Sequence, residues 1–271
     1  MCLVFIAHQH HPQWRLIVAA NRDELHARPT RAAGFWPEQP DWLGGRDLAA
    51  GGSWMALSRA GRLALLTNVR NPSQPQGSRS RGELVTGYLA SGQSPAGYLG
   101  GIDANQFTGF NLLVGQWLPD TTHPGGHWQL HIGSNRTVAE GLYQQQLKPG
   151  LHGLSNASLN TPWPKVATGK RALERLVASS PDPAQLKHSL WDLLADCSQA
   201  PADQLPDTGV GQTAERLLSS RFIVSPEYGT RASTLLLCDA LGHVAFLERS
   251  FDRQGACTGE VSFNFALSEK P

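Results

Sequence analysis

The order in which hydrophobic patterning changes along the chain limits its fold more than any single motif does. Apolar, β-prone runs come first, at residues 2–7, 14–20, 53–58, 63–69, 110–116 and 128–132. Turn residues separate them, so neighbouring runs read as hairpins. A short helix is expected at 82–91, and two amphipathic stretches follow at 164–178 and 183–197. In the first of these, Val166, Leu173, Leu176 and Val177 are apolar, with Lys170, Arg171, Glu174 and Arg175 between them. That spacing predicts a helix with one buried face. Leu186, Leu190, Leu193 and Leu194 make the same case for the second. Strand-like runs return at 222–224, 233–238, 243–248 and 261–265. Strands, then helices, then strands is not the alternating βα rhythm of a doubly wound sheet. It suits stacked antiparallel sheets with helices on the outside.

Nothing in the 271 residues reads as a linker, so one domain spanning 1–271 is expected. The formal net charge is +1 and no dense Lys/Arg block occurs, which argues against a nucleic-acid partner. The opening MCLVFIA is too short and lacks the basic flank of a signal peptide. No later run is long enough to span a bilayer, so no integral membrane segment is expected. Cys2, Cys197, Cys238 and Cys257 are scattered without a CxxC pair, which fits a reducing, cytoplasmic compartment.

Cys2 is the most informative position for chemistry. A small residue after Met1 permits removal of the initiator methionine, which leaves Cys2 as the terminus. An α-amine titrates at about 7.7–8.0 and is a usable base near neutrality. A thiol near about 8.5 becomes thiolate in a modestly electropositive setting. One residue then supplies both nucleophile and base. The competing reading is a small apolar strand former that happens to follow Met1.

Asn21, Arg22, Asp23 and Glu24 arrive abruptly after the apolar run 14–20, where the chain is expected to leave its strand. Alternation points Asn21 and Asp23 one way, Arg22 and Glu24 the other. Asp23 is placed to hold the terminal amine, and Arg22 and Glu24 to pair with each other or with Arg28 and Asp47. A corner-fixing polar cluster is the alternative.

ANRDE after a first hairpin, then RPT, GGSWMALSRAGRLALLTNVRNP and LSNASLNTPWPK, resembles the NRDE family, also called the transport-and-Golgi-organisation family. That family in turn resembles the cysteine-type N-terminal-nucleophile (Ntn) hydrolases, which include bile salt hydrolases and penicillin V acylases. The resemblance runs from Cys2 to the strand after Arg231. It implies an α+β fold, a four-layer αββα sandwich of two antiparallel sheets. It also implies a site: Cys2 as nucleophile, Asp23 orienting the amine, Asn68 and Asn156 holding an oxyanion, and Arg231 steadying the nucleophile. A fixed amide donor to an oxyanion is worth roughly 2.7–4 kcal/mol. The pattern departs in one place, because Ala20 stands where those hydrolases carry an Arg ahead of Asn-x-Asp. Arg22 follows the Asn instead and is expected on the side away from the thiol.

The reaction so implied is cleavage of an amide or thioester in a small acyl ligand, with no cofactor required and no metal. The alternative on the same fold is a non-catalytic binding and trafficking protein for haem or for acyl-lipid or coenzyme A species. Cys2 and the histidines are its candidate iron ligands, although no CxxCH is present. His8, His10 and His11 otherwise read as a solvated hairpin turn. Gly44, Gly45, Gly51 and Gly52 read as a mobile lid over Cys2, with an ordinary loop as the alternative. Trp36, Trp42 and Trp54 are expected either to line an apolar pocket there or to pack in the core. The oligomeric state is left open.

Overall fold

The computed structural model describes residues 2–120, 125–136, 141–179 and 182–268. In chain order the strands are β1 (Cys2–His8), β2 (Trp14–Leu25), β3 (Thr30–Trp36), β4 (Gln39–Asp47), β5 (Met55–Ser58), β6 (Arg62–Asn68), β7 (Phe110–Pro119), β8 (Gly126–Ser134), β9 (Tyr143–Gln146), β10 (Gly150–Leu154), β11 (Tyr228–Asp239), β12 (His243–Phe251) and β13 (Cys257–Ala266). The helices are α1 (Gly82–Ser91), α2 (Pro95–Gly100), α3 (Pro164–Ser179), α4 (Pro183–Leu194) and α5 (Gln212–Leu217). One sheet has the order β10-β1-β2-β11-β12-β13 and the other runs β3 to β9 in sequence order. Neighbouring strands in both are antiparallel.

Three apolar layers hold the stack together. Val4, Ile6, Leu16 and Val18 of the first sheet meet Leu43, Leu57, Leu65, Leu113 and Ile132 of the second. On the first sheet's outer face, Leu3, Phe5 and Ile17 pack beneath Leu173 of α3 and Leu190 of α4. On the second sheet's outer face, Ala64, Leu66 and Leu112 pack beneath Leu84, Val85 and Tyr88 of α1. Strands covered on both faces need apolar side chains at every position, which explains why runs such as 2–7 are continuous rather than alternating. The result is the expected αββα sandwich. Among the described residues no helix is long and apolar enough to cross a membrane.

Three local expectations are corrected. The chain does not leave its strand at Asn21. β2 continues to Leu25, paired to β1 through Cys2–Arg22 and to β11 through Tyr228. Polar residues are tolerated there because they are bonded: Asn21 Nδ2 donates to the Leu194 and Arg221 carbonyls, and Oδ1 accepts from Ser233 Oγ at 2.6 Å. Gly44 and Gly45 lie within β4 rather than in a lid. Close packing selects them, since a Cβ on Gly44 would sit 2.4 Å from the Met55 carbonyl and one on Gly45 2.1 Å from the Trp54 ring. Residues 222–224 are not a strand. There the Phe222 amide donates to the Asp196 carbonyl and the Ile223 amide to Thr230 Oγ1, outside the sheet ladder.

Candidate active site

The site lies where β1, β2 and β6 end between the two sheets. Val4 and Ile6 face the inter-sheet core and Leu3 and Phe5 face the helices, so alternation directs Cys2 inward. Cys2 is 9 % exposed and lines a cavity of about 430 Å³. Its direct register partner is Arg22. Directly paired antiparallel residues project from the same face. Arg22 therefore shares the cavity with Cys2, and the expectation that it points away is corrected. The guanidinium lies 4.2 Å over the Trp54 ring, donates from Nη1 to Thr30 Oγ1 at 3.2 Å and reaches Glu24 at 3.7 Å. Burial holds the Cys2 thiol above its ordinary value, the charges of Asp23 and Glu24 add to that, and Arg22 opposes it in part. Ala20, the position at which the hydrolase pattern has its arginine, is core-packed between the sheets.

The expected pairing of the acidic residues is present. Arg28 bridges Asp47 at 2.6 Å and reaches Glu24 at 3.9 Å. Asp23 lies on the helix side of β2 and accepts from Thr230 Oγ1 at 2.7 Å. Burial pushes its carboxyl up, opposed first by Lys165 and also by Arg70. Lys165, on α3 and 4 % exposed, is pulled down to about 8 by burial against the attraction of Asp23. Arg70 is ion-paired at 2.5 Å with Glu215 of α5, lies 4.7 Å over the Trp163 ring, and is likewise buried. NRDE, TNVR and TPWPK thus converge behind Cys2 through Asp23, Arg70, Trp163 and Lys165.

Asp23 and Asn68 both line the cavity with Cys2. Asn156 stands one layer behind. Its Nδ2 donates to the Asn68 carbonyl at 2.9 Å and its own carbonyl accepts from the Arg70 amide at 2.8 Å. It fixes the end of β6 that presents Asn68. Arg231 is not brought to the cavity. It occupies a β-bulge between Thr230 and Ala232, which re-aims its side chain. Its Nη1 donates to the carbonyls of Leu25, His26 and Arg28, holding the turn after β2.

Lys165, Arg70 and Glu215 went unassigned at the sequence level. Their only local signal is a cation inside an otherwise apolar or Pro-rich segment, and nothing marks Glu215. The segment 76–82 was also missed. It supplies Gln76, Ser78, Arg79, Ser80 and Arg81 to the wall facing Cys2.

The cavity is polar, which corrects the expected apolar pocket. Its apolar side chains besides Cys2 are Ala50, Trp54 and Leu66. Trp36 and Trp42 stack edge-to-face on each other, 5.8 Å apart, and do not line it. Nor do His8 and His11 form a solvated turn: both are buried. His8 Nε2 bonds to the Trp128 carbonyl, and His11 Nδ1 accepts from the Gln13 and Trp14 amides. Among the described residues no histidine lines the Cys2 cavity.

Fold and site together define a class: an αββα sandwich whose first strand presents a buried cysteine, flanked by an arginine and an asparagine, to an inter-sheet cavity. The chain belongs to the Transport and Golgi organisation 2 family, whose model matches residues 1–253. It is 38% identical over 267 residues to the human Transport and Golgi organization protein 2 homolog, covering 92% of this chain and 93% of the relative. The Drosophila melanogaster Transport and Golgi organization protein 2 is 25% identical over 288 residues, covering 92% of each chain. Among solved structures, a Caenorhabditis elegans N-acylethanolamine-hydrolyzing acid amidase ortholog aligns with a TM-score of 0.49 and 12% identity, over 87% of this chain and 92% of that one. The C2A mutant of conjugated bile acid hydrolase from Clostridium perfringens aligns with a TM-score of 0.48 and 9% identity, over 99% and 98%.

Proposed function

We propose that the protein hydrolyses a small amide or thioester with Cys2 as nucleophile. The observation that carries this reading is the Cys2–Arg22 register pair opening onto a cavity whose wall also holds Asn68. Met1 lies outside the described residues, and the reading requires its removal. The freed α-amine of Cys2 then accepts the thiol proton, and sulfur attacks the carbonyl carbon. The Asn68 amide donates to the oxygen as negative charge develops there. Collapse expels the amine or thiol, which takes the proton back from the α-amine. Water then cleaves the acyl–sulfur bond and restores the thiol. Asp23 holds the amine, Arg22 favours the thiolate, and Asn156 holds Asn68 in place. Cytoplasmic residence belongs to the same reading and is supported by four free cysteines, Cys2, Cys197, Cys238 and Cys257.

Intact mass of the untagged protein, before and after brief alkylation near neutral pH, tests it. Loss of Met1 with selective labelling at Cys2 is expected, together with turnover of amides or thioesters that Cys2→Ala abolishes. A retained Met1 or an inert Cys2 overturns it. The second reading, binding and trafficking of an acyl ligand without turnover, is favoured by the burial that holds the thiol up. It predicts ligand binding that survives Cys2→Ala in a protein with no hydrolytic activity.

A further inference from the structure

Four guanidinium groups line the cavity, those of Arg22, Arg28, Arg79 and Arg81. Three have carboxylate partners: Glu24 for Arg22, Asp47 for Arg28, and Glu83 for Arg79 at 2.8 Å. Arg81 is different. Among the described residues no carboxylate lies within ion-pair distance of it, and its one side-chain bond is from Nη1 to the Gly109 carbonyl at 3.2 Å. Among the described residues Nε and Nη2 have no protein acceptor, and Arg81 lines the same cavity as Cys2. Partly burying a cation without a counter-charge costs free energy, since the guanidinium cannot shed its proton. Burial and Arg28 both disfavour the charge on Arg81, whereas Cys2 and Glu24 favour it. The same cavity wall carries the neutral hydroxyls of Ser78, Ser80 and Thr108, the acidic residues Asp23, Glu24 and Asp47, and few apolar groups.

We infer that Arg81 reads an acidic group on the ligand, so that the preferred amide or thioester is an anion carrying a carboxylate or phosphate near the scissile bond. This rests on the proposed hydrolase reading for the identity of the bond, but not for the binding itself. A guanidinium presents paired N–H donors to either oxyanion. Arg22 and Arg28 are held by their own carboxylates, which leaves Arg81 as the cation available to a ligand. The thiolate of Cys2 and the carboxylate of Glu24 are the competing counter-charges, and removing the thiol takes away the first of them.

The test uses Cys2→Ala protein and three probes of one acyl length: N-hexanoylglycine, N-hexanoyl-O-phosphoethanolamine and neutral N-hexanoylethanolamine. Titration calorimetry is expected to show at least one acid binding about tenfold or more tightly than the neutral probe, in keeping with a charge-assisted pair. Which acid it is distinguishes a carboxylate from a phosphate ligand. Arg81→Gln should bring the ratio to about one, and Arg81→Lys should keep part of it. Arg175→Gln, an exposed change on α3, should leave it intact. Equal binding of acid and neutral probes, no binding of either acid, or a preference that survives Arg81→Gln overturns the inference. Absence of turnover in the Cys2 protein with the preference intact removes the hydrolase reading and leaves Arg81 as an anion reader.

Discussion

Cys2 and Arg22 sit directly opposite each other across the β1–β2 ladder, so the thiol and the guanidinium share one face and one cavity. A fixed cation beside a buried thiol favours its thiolate, and its removal raises the thiol pKa. Arg22→Leu should move the pH midpoint of Cys2 alkylation upward and slow labelling at any pH below that midpoint. Arg22→Lys should restore part of the shift. Cys197 and Cys257 are exposed, so labelling must be read by peptide mass. An unchanged midpoint in Arg22→Leu would remove Arg22 from the site.

Arg70 and Glu215 form a buried pair between the end of β6 and α5, and Glu215 also accepts from the Thr208 amide at 2.8 Å. Breaking such a pair leaves an uncompensated charge and costs about 3–5 kcal/mol. Arg70→Met and Glu215→Leu should each lower the urea midpoint by that order of stability. The double variant should lose less than either single change, because no charge is stranded. A double variant as unstable as the sum of the two would show that the residues act separately.

Glu248 is 2 % exposed in the inter-sheet core, and burial pushes its carboxyl up to about 7 despite bonds from the Ala33 amide and Thr234 Oγ1. In the window between the unperturbed carboxylate value and about 7 the folded chain keeps this proton and the unfolded chain has lost it. Stability contributed by the proton is therefore full at low pH and falls as pH rises through that window. The loss is on the order of 3 kcal/mol. Glu248→Gln should flatten that part of the stability–pH curve measured by chemical denaturation. A slope unchanged by the substitution would sink the assignment.

The strand–helix–strand order of the sequence carried the layer architecture, because strands buried on both faces are written as unbroken apolar runs. β3 and β4 were not legible. Gly44 and Gly45 look like loop residues, and only the approach of Met55 and Trp54 shows why a strand needs them. Within the site, local alternation separated Arg22 from Asp23 correctly. It put Arg22 on the side away from the thiol, and the register between β1 and β2, which pairs Cys2 with Arg22, overturns that. The bulge that turns Arg231 away has no local signature. Lys165, Arg70 and Glu215 come from three distant segments, and a charge that will be buried looks in sequence like one that will be solvated.

The closeness of Gly45 to Trp54 links strand packing to the thiol. Alanine has a better intrinsic tolerance for ordinary backbone than glycine by roughly 0.5–1 kcal/mol, but a Cβ at position 45 would meet the Trp54 ring at 2.1 Å. Overpacking of that kind costs about 1–3 kcal/mol, so destabilisation should win. The ring that must move is the one lying under the Arg22 guanidinium. Gly45→Ala should therefore lower the urea midpoint and also raise the pH midpoint of Cys2 alkylation, in the direction of Arg22→Leu. Combined with Arg22→Leu, it should add nothing to that second effect, because the cation it displaces is already gone. A further upward shift in the double variant would mean that Trp54 acts on the thiol by a route other than Arg22.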